Sequence, residues 1–485
     1  MIQRRFLLAF LLAAFAPQLA CGDDDGSAGP ADAAPADASP DDILTRLNAI
    51  PGLHAIEPPP PMPPARPIPP GYRFFFIDFD QPVDHAHPEG AHFTQRLRLL
   101  HRDEHAPMVQ HTGGYYVSSR PFRHELTKMT GGNQITIEHR YFTPSRPEPA
   151  DWSFLTIEQA AEDFHAINRA LHTIYDGTWV SAGESKGGMT SLFNRRFFPD
   201  DVDATVAYVA PIMTAANDPR FGPFIAQVGD DAACRQALAD FQRAALTARS
   251  ELLALVDADA TQAGWTFDLL GEQRAFEHAV LELPFYFWQY GDASHCAEIP
   301  AAGAPTADLY AFLDAVSSMG NVSDDSVLAF TPYYFQAGTQ FGWPGFPEAH
   351  IADLMSFDGS DVPATYATST GVTLTYDPQP MGDILDWLAT SGQRIIFIYG
   401  QNDPWSAAMV DPTGAQDSFR FIQPAGNHGS KILALPAAEQ KQAMDALSGW
   451  LGVTLTIPAD PSAPRLVPGV DYEPEYDPHA QRTPL

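Results

Sequence analysis

The stretch Thr178-Trp179-Val180-Ser181-Ala182-Gly183-Glu184-Ser185-Lys186-Gly187-Gly188-Met189-Thr190-Ser191-Leu192 decides how the chain is read. An apolar run leads into Gly-x-Ser-x-Gly, and a helix-like segment continues to Phe197. A serine between two such glycines, on a turn from strand to helix, is the nucleophile elbow of an α/β-hydrolase. The glycines let strand and helix approach closely, and the serine is forced onto a strained turn above the helix N-terminus. The fold class expected is therefore α/β, with a mostly parallel sheet and an inserted helical cap.

A serine needs a histidine base, and the base needs a carboxylate to set its tautomer. In this fold the order along the chain is serine, acid, histidine. Downstream, the buried-strand pattern Arg394–Gly400 runs into Gln401-Asn402-Asp403-Pro404, which makes Asp403 the candidate acid. The next strand, Ser418–Gln423, leads to Pro424-Ala425-Gly426-Asn427-His428, which makes His428 the candidate base. The bland alternatives are that Asp403 caps a turn before Pro404 and that His428 is a plain loop residue. A tetrahedral oxyanion also needs backbone donors. The N–H of Lys186 supplies one, and Gly114 or Tyr115, after the strand Pro107–Thr112, supplies the other.

Composition narrows the partners. Sixty acidic against 28 basic side chains give a formal charge of −32, which repels nucleic acid and anionic lipid. His85, His87, His92, His101, His105 and His111 cluster in sequence, but without zinc-site spacing, so neither a metal nor another cofactor is expected. At the N-terminus, Arg4 and Arg5 precede about ten apolar residues, too short to span a bilayer and suited to an export signal. Gln18-Leu19-Ala20-Cys21 resembles a bacterial lipobox, so Cys21 is the expected lipidation site and the membrane is met only through that anchor; the expectation is an exported cell-envelope lipoprotein or, alternatively, a freely secreted protein. Cys234 and Cys296 remain, and a disulfide between them is plausible in an exported chain.

The expected organisation is a signal peptide at 1–20, tether and Pro-rich linker at 21–70, and the first half of the core at 71–214. A helical cap follows at 215–350, then the second half of the core at 351–456 and a Pro-rich tail at 457–485. Asp41 to Leu53 reads as a helix, as do Glu158–Ile174, Cys234–Val256, Glu272–Leu283 and Ala437–Leu451. Two aromatic bands, Pro284–Tyr290 and Phe330–Phe335, follow cap helices and are expected in part to line a pocket.

Several further stretches carry a resemblance. They are Phe79–His85, Phe93–Arg96, Ile137–Phe142 with Ser145–Pro147, Trp179 with Gly183–Thr190, and Tyr208–Pro211. Together they resemble serine peptidase family 37, the secreted prolyl tri- and tetrapeptidyl aminopeptidases of bacteria. The resemblance spans about Tyr72 to Leu451, and its catalytic serine, acid and base match Ser185, Asp403 and His428. It implies an exopeptidase whose partners are peptides with free N-termini, often with proline before the cut. Such an enzyme needs a carboxylate for the substrate ammonium and apolar walls for the proline ring. Glu138, Glu125 and Glu184 are candidates for the first, against the alternative that these acids pair with local arginines such as Arg123 or Arg140, and Tyr116 is a further candidate for substrate binding. An esterase or lipase with the same triad, and a non-catalytic surface protein, are the rival readings.

Overall fold

The computed structural model describes residues 41–58 and 67–458. The export signal, Cys21 and most of the expected tail lie outside the described residues. Nine strands form one sheet in the order β1-β2-β3-β5-β4-β6-β7-β8-β9. The strands are β1 (Leu53–Ile56), β2 (Arg73–Pro82), β3 (His92–His101), β4 (Met108–Thr112), β5 (Asn133–Ile137), β6 (Trp179–Glu184), β7 (Ala204–Tyr208), β8 (Ile395–Gly400) and β9 (Phe419–Gln423). From β1 to β5 the pairs are antiparallel, and from β5 through β4 to β9 they are parallel.

Parallel strands joined by helices are covered on both faces, so they read as unbroken apolar runs. In β8 every residue is buried. Its Ile395, Phe397 and Tyr399 join the cluster containing Met189, Leu192 and Phe193 of the elbow helix and Met381, Ile384 and Leu388 of the helix Gln379–Thr390. The alternating Ile396 and Ile398 join Leu447 and Leu451 of the helix Ala437–Leu451 on the opposite face. The helix Ile157–Leu171 buries Phe164, Ile167 and Leu171 against β2, β3 and β5, with the Thr156 side chain accepting from the Gln159 N–H as its cap.

Between β7 and β8 the chain leaves the sheet and builds a separate apolar cluster from Val228 to Tyr366. A disulfide joins Cys234 to Cys296 within this excursion. Three sequence expectations change here. The segment Asp41–Leu53 is helical only over Ile43–Asn48, because Pro51 and Gly52 (φ +76°) turn the chain into β1. The helix expected over Cys234–Val256 divides at Ala248 into Ala232–Thr247 and Arg249–Ala263. The aromatic bands are not separate from the helices before them: one helix runs Glu272–Tyr290 through Pro284, and another runs Asp324–Gln336 through Pro332. An interior proline costs about 3 kcal/mol. Burying Phe285, Phe287 and Trp288 on the turn after Pro284 offsets that cost.

Candidate active site

Parallel register carries the C-terminal ends of β4, β6, β7, β8 and β9 to one edge of the sheet. Ser185 follows β6 directly, and its N–H donates to the Tyr208 carbonyl of β7 at 2.9 Å. Its backbone is at φ 54°, ψ −125°. A non-glycine residue there stores about 1–3 kcal/mol, which only close packing around it can maintain. That packing explains the glycines. A Cβ on Gly183 would lie 2.4 Å from the Thr112 carbonyl oxygen, and one on Gly187 would lie 2.0 Å from the same atom. On Gly188 it would meet Tyr208 O and the Ala210 side chain, both at 2.8 Å. The Thr112 hydroxyl donates to Gly187 O at 2.7 Å, tying the end of β4 to the elbow helix.

The loop after β4 lies on the elbow. Gly114 has φ +76°, and a Cβ there would approach Gly187 N at 2.6 Å and Lys186 C at 2.8 Å. Lys186 is almost wholly buried, and its Nζ donates to the Gly114 carbonyl at 2.5 Å. Rings of Tyr115, Phe142 and Phe341 surround that ammonium at 5.4, 5.3 and 5.7 Å, and burial holds its pKa well below the ordinary lysine range. The Gly114 carbonyl shares a peptide plane with the Tyr115 N–H and points the opposite way. Anchoring the carbonyl on Lys186 therefore sets the direction of the Tyr115 N–H. The Lys186 N–H itself heads the elbow helix, where no intrahelical acceptor exists. The Tyr115 hydroxyl is hydrogen-bonded to Ser185, and burial pushes that phenol up, so it stays protonated. The sequence pattern points only to the backbone of this residue.

Asp403 is fully buried just beyond β8. Its two oxygens divide the two roles between them. Oδ1 accepts from the Trp405 N–H at 3.1 Å, capping the turn Pro404–Ala408, while Oδ2 accepts from His428 Nδ1 at 2.7 Å. The turn-cap alternative is therefore true of one oxygen and leaves the other for the histidine. With its proton on Nδ1 and directed at a carboxylate, the ring presents Nε2 as a base. The His428 loop is braced by the cap. Its N–H donates to Gln289 O at 3.0 Å, and Asn427 Nδ2 donates to Tyr290 O at 3.0 Å. These are carbonyls at the C-terminal end of the helix Glu272–Tyr290, which lack partners within their own helix.

The acids expected to hold an ammonium are occupied. Glu138 is fully buried, takes Arg96 at 2.7 Å and the Val117 N–H at 3.0 Å on Oε2, and takes the Ser145 hydroxyl at 2.9 Å on Oε1. Arg140, named as a local partner, instead pairs with Asp163. Glu125 accepts from Tyr208 and from the Ile432 and Leu433 N–H groups. Glu184 points behind the elbow to His111 at 3.2 Å, His124 at 3.0 Å and Lys431 at 3.6 Å. His124 Nδ1 accepts from the Leu126 N–H, which turns its Nε2 toward Glu184. Glu138 and Glu184 are thus corrected from substrate acids to structural ones: their acceptor sites are filled from within. Tyr116 donates to the Ala329 carbonyl at 2.5 Å and packs on Phe142 and Phe330, joining the loop after β4 to the cap.

The family model for PS-10 peptidase S37 matches residues 36–479. The chain is 41% identical over 433 residues to the prolyl tri/tetrapeptidyl aminopeptidase of Streptomyces mobaraensis, covering 88% of each chain. It is 24% identical over 184 residues to the serine protease vicPb of Bipolaris victoriae (strain FI3), covering 33% of this chain and 34% of that one. Among solved structures, the proline iminopeptidase of Mycobacterium smegmatis matches 77% of this chain and 97% of its own, at 14% identity and a TM-score of 0.36.

Proposed function

Because the chain belongs to the PS-10 peptidase S37 family, we propose that it is a serine exopeptidase releasing tri- and tetrapeptides from free N-termini, with proline before the cut. Ser185 Oγ attacks the scissile carbonyl while His428 Nε2 takes its proton. Asp403 holds the imidazole and stabilises the imidazolium that forms. The oxyanion is met by the N–H groups of Lys186 and Tyr115. Collapse of the intermediate expels the amine, which takes the proton from His428 and leaves an acyl-enzyme on Ser185. Water, activated by the same imidazole, then releases the peptide acid.

One observation carries this reading. A buried Asp403–His428 hydrogen bond of 2.7 Å stands on the same sheet edge as a serine held at φ 54°. A non-catalytic fold has no need to maintain both. The test is Ser185→Ala against Ala-Ala-Pro-p-nitroanilide. Turnover should vanish, and cleavage at the wild-type rate would overturn the assignment.

A further inference from the structure

Two series of aromatic rings leave the catalytic residues and end on the same two acids. Starting from Ser185, the Tyr115 ring lies 6.0 Å from Tyr333, Tyr333 lies 5.6 Å from Tyr334, and Tyr334 stacks on Tyr366 at 4.6 Å. The Tyr366 hydroxyl is 3.0 Å from Asp361 Oδ1 and 3.3 Å from Glu282 Oε1. Starting from His428, the Tyr290 ring is 6.3 Å away and Tyr286 is 6.1 Å beyond it, with Tyr286 hydrogen-bonded to Glu282. Glu282, Tyr286 and Tyr290 form one stripe of the helix Glu272–Tyr290 at four-residue spacing. Each keeps some accessible surface while Leu283, Phe285 and Phe287 beside it are buried, and Tyr115, Tyr333 and Tyr334 across from it do the same. These facing stripes, partly accessible beside the catalytic residues, are the walls assigned below to the substrate pocket.

The acids at its far end lack a cation. Asp361 is 7% exposed, its Oδ1 accepts from the Tyr366 hydroxyl, and its carboxyl is hydrogen-bonded to that of Glu282, so the two acids hold each other through a shared proton and not through a cation. Among the described residues no ion pair reaches Glu282 or Asp361. The single Tyr366 hydroxyl proton cannot serve both carboxyls, and it is also 2.7 Å from His278 Nδ1. Burial pushes Glu282 up to about 7, and burial with the neighbouring Glu282 charge pushes Asp361 well above its ordinary value. Burial also drives His278 down to about 4, so that ring brings no charge. The pair therefore shares a proton that an arriving cation would displace to solvent.

A peptide α-ammonium brings the positive charge and the three N–H donors that this corner lacks. We propose that Glu282 and Asp361 receive the α-ammonium of the substrate, and that their separation from Ser185 and His428 sets the length of peptide released. The proposal rests on the aminopeptidase reading above. Along the helix Glu272–Tyr290, Glu282 precedes Tyr290 by eight residues, about 12 Å at ~1.5 Å rise per residue, which is the length of about three to four extended residues at ~3.3 Å each.

The experiment compares Ala-Ala-Pro-p-nitroanilide with its N-acetyl and des-amino analogues on wild type, Glu282→Gln and Asp361→Asn. Wild type should favour the free terminus by about 100-fold, and each variant should lose about that factor on the free-terminus substrate only. Fluorophosphonate labelling of Ser185 should persist in the variants, showing an intact fold and nucleophile. Discrimination that survives either labelled variant overturns the proposal. Should neither variant fold, a wild-type series of prolyl amides from one to five residues decides: a maximum at three to four supports the ruler, and a flat profile sinks it. Equal cleavage of blocked and free termini removes this proposal but leaves a prolyl peptidase. Failure on every amide together with ester turnover removes the aminopeptidase reading itself, and this inference with it.

Discussion

Gly114→Ala isolates the oxyanion loop from the triad. The glycine sits at φ +76°, where an alanine costs about 1–2 kcal/mol. Its new Cβ would begin 2.6 Å from Gly187 N and 2.8 Å from Lys186 C, where ordinary contact starts near 3.4 Å. Both neighbours are backbone atoms of the elbow, which Thr112 and the strained Ser185 already hold, so the loop must retreat rather than the helix. The retreat is somewhat under about 1 Å, enough to withdraw the Tyr115 N–H and strain the Lys186–Gly114 bond. Loss of one oxyanion donor lowers kcat by about 10²–10³, or roughly 3–4 kcal/mol of transition-state stabilisation. The assay is steady-state hydrolysis of Ala-Ala-Pro-p-nitroanilide beside a thermal melt. The expected result is a kcat two or more decades lower, KM little changed, and a melting temperature only a few degrees lower. A variant keeping kcat within about threefold of wild type would refute the placement of the oxyanion loop.

Asp403→Asn should preserve the Trp405 turn cap, since an amide oxygen still accepts there, while presenting the wrong group to His428. A fall in kcat of about 10⁴ with an unaltered fold is expected, measured by kinetics and circular dichroism. Glu184→Gln tests stability rather than chemistry. Burial alone would raise Glu184, but His124, Lys431 and the His111 hydrogen bond overcome it and hold this carboxyl well below the ordinary range. A depressed carboxyl stabilises the fold above its unfolded value near 4.5 and loses that contribution as pH falls toward the folded value. Wild type should therefore lose about 1.4 kcal/mol per pH unit below that point through this group, a slope that the glutamine variant lacks. At neutral pH the variant should be less stable by about 1–3 kcal/mol in urea unfolding. Equal acid sensitivity of the two proteins would contradict this account.

The elbow, the strand–helix alternation, and the acid and histidine after late strands were legible in the sequence because each is a local signal. Gly183, Ser185 and Gly187 lie within one turn, and the β8 run Ile395–Gly400 needs no distant partner to read as a buried strand. The N-terminal strand β1 was missed because Leu53–Ile56 has four residues and becomes a strand only by pairing with β2. Helices running through Pro284 and Pro332 were missed because local propensity stops at proline, whereas packing around Trp288 and Phe335 carries the helix onward. The sequence alone therefore determined the reaction class, since glycine spacing and chain order reflect the backbone path into an elbow. Only the tertiary structure decided which acids are spoken for: Glu138 and Glu184 are filled by Arg96, His111 and His124, residues up to 73 positions away, while Glu282 and Asp361, 79 positions apart, meet in the cap. The physical reason is that a carboxylate's availability depends on its donors, and those donors are brought to it by folding rather than by proximity along the chain.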